Sequence, residues 1–500
     1  MGTIRGQDRN QQTYWSLEDM IAEESMVRVI DRFVDSVDLR SLGFTRTQGA
    51  TTGRPSYAAA SLAKLYVYGY ESGIRSSRKL EKETYRNIEV MWLVQGIKPD
   101  HSSISEFRRL NVKAIKQLFR EFVKLCQTWE LTDGKVVAQD GTKINASNGS
   151  HNNFKPAGLN DRIKRIDEKI AEYLSSMDQA DQSNEADKST GVPQNMSPGK
   201  LLELLNRKQK YESYKDQMQA EGISEISTVD PDARQMGSSS KGFDISYNTQ
   251  IAVDGKHHIV LDFDVTNNPS DRGELAPMAK SLIEDGYIAS GGDTTYLADK
   301  GYYSGEDLAE MDKLGIKAVV PSQNPPHPIG QPKMFWCSSF QYNHTSNSYT
   351  CPAGHILSQT TSRNPAPKRR RYTNKAACQH CQHSKLCIGG KAEFRTVTRG
   401  EFADIHEAAD KTYAQNSERY KLRMQLAEHP FGTIKHTMNG SYFLLRTLPK
   451  VRGEAALLFL AYNLKRAYNT LGFKEIMARL DCLLCTFVHT SNLERIFYVV

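Results

Sequence analysis

No stretch of this 500-residue chain stays apolar for the roughly 20 residues that a bilayer-spanning helix needs. The opening MGTIRGQDRNQQTYWSLEDM lacks the apolar core of a secretory signal, and the late apolar run AALLFLAY is closed off by Asn463 and Lys465. A protein without membrane contact, working in the cytoplasm, is the expectation. Cysteine is scarce, 8 in all, and the few are clustered instead of spread as a disulfide framework would be. Charge of one sign does not dominate either. The 65 Lys and Arg exceed the 58 Asp and Glu by enough to give +7, which suits a nucleic-acid partner but equally a plain enzyme. What the chain does have is a hydrophobic fraction of 39%, enough to build cores for roughly two to four domains.

Residues 1–130 read as mostly helical. LEDMIAEESMVRVIDRFVDSV and SYAAASLAKLYVYGYESG carry apolar residues at helical spacing, and RSSRKLEKETYRNIEVMWLVQG starts basic and becomes amphipathic. After the turn GIKPDHSS, Ser102 or Ser103 is placed to cap the helix ISEFRRLNVKAIKQLFREFVKLC. Two helices joined by a short turn, with Arg108 and Arg109 early in the second, suit entry into a DNA groove; a helical bundle with solvated arginines suits them equally. Residues 131–475 read as a larger catalytic domain. KVVAQDGTKI is a strand with Asp140 closing an apolar run. Residues 161–222 read as an inserted helical hairpin that serves as scaffold or dimer arm, with Ile163, Ile166, Ile170 and Tyr173 on one stripe. From 241 the period becomes that of strands: DISYNTQIAVDG and HHIVLDFDVTNN, joined by a turn at Asp254-Gly255. Helix GELAPMAKSLIEDG, the short strand TTYLAD ending at Asp299, helix GEDLAEMDKLG and strand IKAVVPS follow. That order predicts a mixed α/β fold with a ribonuclease-H-like sheet. Residues 322–400 interrupt it, and 476–500 form a tail.

Asp140 and Asp299 each sit at a strand end, where adjacent strands would bring them together. Two such carboxylates repel unless cations neutralise them. Phosphoryl transfer on DNA asks for two divalent cations about 3.5–4 Å apart, and Mg²⁺ (or Mn²⁺) favours carboxylate oxygens and water. Asp254, Asp262, Asp264 and Asp271 compete for this role. Alternation puts Asp262 and Asp264 on one face, simply explained as an exposed edge, and all four are set aside.

DGTKI, LADKGYYS and YKLRMQLAEHPFGTIK occur in that order. Together they resemble the DDE transposases of bacterial insertion sequences, in the group with a Tyr-Arg-Glu-Lys signature: Tyr420, Arg423, Glu428 and Lys435 match it. GIRSSRKLEKETYRNIEVMWLVQGIKPDHSSISEFRR looks like the N-terminal domain of those enzymes and GEAALLFLAYNLKRAYNTLG like their C-terminal helix, so the resemblance covers roughly residues 15–475. It implies that Asp140, Asp299 and Glu428 are the catalytic, Mg²⁺-ligating triad. It also implies that Arg423 and Lys435 contact DNA phosphates while Tyr420 positions the same strand. The enzyme would bind the terminal inverted repeats of its element, hydrolyse a phosphodiester there and join the freed 3′-hydroxyl to target DNA. Pairing two ends would need a homodimer. Pro430 and Gly432 speak against one unbroken helix carrying both Glu428 and Lys435. An inactive, DNA-binding regulator and a ribonuclease-H-like nuclease of another purpose are the rival readings.

Cys351, Cys378, Cys381 and Cys387 have the spacing Cys-x26-Cys-x2-Cys-x5-Cys, near that of zinc ribbons, and similar cysteines occur in the transposases that the chain resembles. A structural Zn²⁺ would staple an insertion without a core of its own, with Cys337, His355, His380 and His383 as substitute ligands. Between the arms, PAPKRRRYTNK places Lys368, Arg369, Arg370 and Arg371 as DNA-backbone contacts; a solvated loop or a nuclear-import run is the alternative. Cys482 and Cys485, in the apolar DCLLCTFV, are expected to be buried as small hydrophobes.

Overall fold

The structure is a computed structural model that describes residues 10–12, 14–47, 55–182, 198–238, 242–322, 332–360, 369–388 and 392–497. The N-terminal region is helical: α1 (Met26–Asp35), α2 (Ala59–Glu71), α3 (Ser77–Arg86), α4 (Ile88–Leu93), α5 (His101–Leu110) and α6 (Val112–Thr128). Two helices expected to be continuous are broken at asparagines. Asn87 takes an extended conformation and its side chain accepts from Val90 N, capping α4. Asn111, 1% exposed, divides α5 from α6 because its Oδ1 accepts from Thr45 N at 2.7 Å while Nδ2 donates to Phe107 O. The cap of α5 is Asp100, which accepts from Ser102 N and Ser103 N, and not either serine.

The central sheet begins with β1 (Val136–Asn145). Between it and the next sheet strands lie β2 (Asn153–Phe154), the long helices α7 (Pro156–Gln182) and α8 (Pro198–Glu221), and β3 (Ile226–Ser227). Strands β2 and β3 pair and clasp the base of this helical arm, whose small core joins Phe154, Leu159, Met218 and Ile226. The sheet resumes with β4 (Arg234–Ser238), β5 (Gly242–Asp254) and β6 (Val260–Thr266), then α9 (Leu275–Glu284), β7 (Thr295–Leu297), α10 (Gly305–Lys313) and β8 (Lys317–Val319). Its order is β4-β5-β1-β7-β8, with β6 also on β5. β1 runs antiparallel to β5 and parallel to β7, and β7 runs parallel to β8. A longer loop than the two-residue turn connects β5 and β6, and the Asp254 carboxylate organises it by accepting from Gly134 N and Lys256 N.

The interruption after β8 is a second sheet, not a coreless insertion. β9 (Gln341–Asn343), β10 (Ser348–Thr350), β11 (Ile356–Thr360) and β12 (Arg369–Thr373) lead through short helices α11 (Lys375–Gln379) and α12 (Ser384–Cys387) to β13 (Thr396–Gly400). The strands pair in the order β13-β12-β11-β10-β9. Phe340, Tyr349, Leu357, Tyr372 and Val397 give it a core, because the alternating pattern of short strands buries one aromatic or branched residue from each.

Helices α13 (Ala403–Gln415), α14 (Ser417–Tyr420) and α15 (Leu422–Gly432) return the chain to the main sheet. The chain stays helical through Pro430 and then widens into a π-helix at Thr433–Thr437, where a break was expected. Helices α16 (Leu448–Leu471) and α17 (Phe473–Phe497) follow; Cys482 and Cys485 are exposed on α17 and not buried. α16 is nearly all buried because it is sandwiched between the sheet and the N-terminal helices, and Phe459 packs on Phe263 of β6, which meets Phe119 of α6. Through this sandwich one continuous core runs from α1 to α17. A buried ion pair crosses it: Arg75, before α3, donates to Glu454 of α16 at 3.1 Å. Among the described residues no helix is long and apolar enough to cross a membrane.

Candidate active site

Asp140 lies in the middle of β1 instead of at its end, since the strand continues to Asn145. The short partner β7 explains why the position is still open. Pairing of β1 with β7 stops at Ala138↔Leu297, so Asp140 and Asp299 both lie two residues past the last pair, on the rim where β1 outruns its neighbour. Asp299 leaves β7 directly and caps the turn Lys300–Tyr302, accepting from Gly301 N at 2.7 Å. Ala138, Leu297, Val319 and Leu426 form the apolar floor beside this rim, and they bring α15 down onto the sheet.

Arg423 of α15 donates to Asp140 Oδ2 at 3.2 Å, and its guanidinium lies 5.9 Å from the ring centre of Tyr420. Tyr420 in turn stacks edge-on against Tyr413. Lys435, carried round by the π-helix, donates to Thr142 Oγ1, two residues along β1 from Asp140. Burial pushes the Asp140 carboxyl up to about 6; the negative charges of Asp299 and Asp271 push the same way, while Arg423 and the Gly141 N–H pull it down. Burial lowers the Lys435 ammonium, with Asp140 opposing.

Glu428 is placed differently. Positions five apart on a helix are separated by roughly 140° around its axis. With Arg423 turned to β1, and Leu426, Ala427, Pro430 and Phe431 buried, Glu428 is exposed on another side of α15. No group of three acids, histidines or cysteines among the described residues is arranged to hold an ion as it stands.

Asp271, set aside on sequence grounds, lies at this rim. Its Oδ1 accepts from Asn248 Nδ2 at 2.8 Å, Gln250 Nε2 at 2.9 Å and Lys143 Nζ at 3.3 Å. A signal for it was present: Asn248 and Gln250 are polar residues in an otherwise apolar central strand, and both are buried. Beneath them Gln139 donates to Gln250 Oε1, Tyr296 donates to Gln139, and Tyr302 donates to Gln250. Asp262, read as an exposed edge, is 2% exposed and accepts from Ser281 Oγ at 2.6 Å. Asp264 pairs with Arg452.

The remaining expectations divide. Arg108 is withdrawn as a DNA contact: it is 5% exposed and donates to Tyr70 Oη at 3.0 Å, because α5 turns that side of the helix into the bundle. Arg109 is exposed and pairs with Glu106. Arg369, Arg370 and Arg371 are exposed on β12, a strand and not a loop, while Lys368 lies outside the described residues. Cys351, Cys378, Cys381 and Cys387 line one cavity together with Phe335, Phe340, His355 and His383. The other three cysteines act on Cys387, and its thiol is pushed up chiefly by burial. His355 N donates to Cys351 Sγ at 3.3 Å, and Cys337 accepts from Arg395.

Two family models match the chain. One, described as a transposase domain (DUF772), matches residues 15–110, and the other, described as a transposase DDE domain, matches residues 224–464. The second includes Asp271, Asp299 and Glu428, while Asp140 lies between the two matches. No curated protein matches the chain. With helices from the first segment packed against the sheet and α16 of the second, the chain belongs to the DDE transposases of insertion-sequence type.

Proposed function

We propose that this transposase binds the terminal inverted repeats of its element, hydrolyses a phosphodiester at each end and transfers the 3′-hydroxyl to target DNA. The observation that carries the reading is the matched placement of Asp140 and Asp299, each two residues past the β1–β7 pairing, with Arg423 over one of them. The strand sequence β6-β5-β1-β7-β8, with only the strands after β6 parallel to β1, supports a ribonuclease-H-like sheet as its frame.

The rim fits divalent cations in its donor chemistry, since it gathers carboxylate oxygens whose repulsion already raises Asp140. Asp140 and Asp299 would hold them, with Glu428 contributing from α15. Bound Mg²⁺ or Mn²⁺ supplies charge neutralisation at the attacking and leaving oxygens. The chain's own residues do the rest. Arg423 and Lys435 present cations on either side of Asp140 and suit two successive backbone phosphates. Tyr420 and Tyr413 brace Arg423, and exposed Arg109 and the β12 arginines extend the basic surface. In the second sheet, the shared cavity of the four cysteines supports a structural Zn²⁺ on Cys351, Cys378, Cys381 and Cys387. Pairing two ends calls for a homodimer on DNA.

The test uses purified protein, Mg²⁺ or Mn²⁺, and labelled DNA carrying the element end beside a target plasmid. Nicks and joined products that disappear in Asp140→Ala, with end binding retained, are expected. Binding without any cleavage by the unaltered protein would favour a regulator instead, and nicks without joining a nuclease.

A further inference from the structure

Asp271 reaches the rim from the loop before α9, an element that contributes no acid to the triad. Its two oxygens have different surroundings. Oδ1 is held by Asn248, Gln250 and Lys143, and the first two are fixed from below by the buried Gln139, Tyr296 and Tyr302. Every hydrogen bond of the carboxylate falls on that oxygen. Oδ2 faces Gly301 instead: a methyl group there would sit 3.5 Å from Asp271 Oδ2 and 2.9 Å from Asp299 Oδ1. Both carboxylates therefore border one small gap that the absence of a side chain at 301 keeps open. A second glycine admits Asp271 from the other side, since a methyl at Gly141 would stand 2.8 Å from its Oδ1 and 2.3 Å from Gln250 Nε2. The glycines next to Asp140 and Asp299 thus make room for a third acid.

We propose that Asp271 is a further cation-binding acid of this active site, with Oδ1 anchored to the sheet and Oδ2 directed with Asp299 at the gap beside Gly301. The inference rests on the reading of Asp140 and Asp299 as cation ligands. A rigid anchor on one oxygen suits a ligand, because it sets the direction of the other before the cation arrives. Lys143 neutralises Asp271 much as Arg423 neutralises Asp140, so cation binding displaces or weakens both pairs.

Binding of Mn²⁺ to the full chain without DNA, read as the rise in Tm with Mn²⁺ concentration, tests it independently of catalysis. Asp271→Asn keeps the side-chain shape and an acceptor for the three donors. Its Tm without metal reports whether it folds. The unaltered protein should show a saturable rise, and Asp271→Asn should need about tenfold more Mn²⁺ or higher. Gly301→Ala, which fills the gap and removes no charge, should show the same weakening. If Asp140→Asn and Asp299→Asn weaken Mn²⁺ binding while Asp271→Asn and Gly301→Ala bind like the unaltered protein, the assignment of Asp271 is overturned and the original reading stands. If Asp140→Asn and Asp299→Asn bind Mn²⁺ like the unaltered protein, that reading falls and takes this one with it.

Discussion

Cutting the Arg75–Glu454 pair from one side tests whether the two family-matched segments fold as a unit. Glu454 is 0% exposed and Arg75 2%. The carboxylate accepts from Arg75 at 3.1 Å and from the backbone N–H groups of Leu444 and Leu445 at 3.0 and 2.9 Å. In Arg75→Met the backbone donors remain, and the new side chain still covers Tyr442, whose ring centre lies 4.7 Å from the guanidinium. What disappears is the counter-charge. Removing one partner of a buried pair costs about 3–5 kcal/mol, since the other charge stays buried alone. Arg75 Nε and Nη2 are buried with no hydrogen-bond partner. The pair is therefore already imperfect, and the loss should fall at the lower end, about 3 kcal/mol. Glu454→Gln should cost a similar amount. The double variant leaves no lone charge, so the two losses should fail to add by about 1–3 kcal/mol. Urea unfolding followed by far-UV circular dichroism and by fluorescence of Trp92 and Trp129, both in or beside the N-terminal helices, reads this out. The unaltered protein should give coincident transitions for the two signals. A cost below about 1 kcal/mol in Arg75→Met, or strict additivity in the double variant, would refute the argument.

Further outcomes follow from other parts of the fold. Arg423→Met should weaken binding to element-end DNA and lower the slope of log affinity against log salt by about 1, as loss of one phosphate contact does; an unchanged slope would place Arg423 off the DNA. Purified protein should carry zinc that Cys378→Ser loses, with a lower Tm after chelation, and equal metal content in both proteins by elemental analysis would count against the four-cysteine site. His258 and His429 stack edge-on at 5.4 Å, and burial lowers the proton affinity of both. Below their ordinary value of 6.5 the unfolded chain therefore binds more protons than the folded one, so stability should fall as pH drops through that range. His429→Gln should flatten this acid limb in pH-dependent melting curves, and a limb unaltered by the substitution would exclude the pair as its source.

Much of this arrangement was legible in the sequence, for physical reasons. The switch from helical to alternating period near 241 announced the sheet, and the short apolar runs ahead of Asp140 and Asp299 announced its rim. Phase was harder. The spacing of Tyr420, Arg423, Glu428 and Lys435 says nothing of which side of α15 meets β1, and the structure turns Arg423 inward and Glu428 outward. Arg108 and Arg109 look alike in the chain, but one turn of α5 sends the first inside to Tyr70. Asn87 and Asn111 read as ordinary polar positions in long helices, and only their tertiary or local partners make them breaks. Asp271 was hidden because its role depends on Asn248 and Gln250, which a strand pattern scores as flaws in an apolar run.

The π-helix at Thr433–Thr437 gives this part of the chain an unusual relation to length. A π turn holds one residue more than an α turn needs, so deleting a residue between Phe431 and Lys435 would let the helix close up without disturbing the packing of Leu426 and Ala427. The ammonium of Lys435, however, would swing by roughly 100° and leave Thr142 behind. Such a deletion would produce a well-folded protein whose grip on DNA had lost one finger, and the converse holds for an insertion. Along this segment, spacing is a rotational setting, and drift in chain length would be felt at the rim before it was felt in the core.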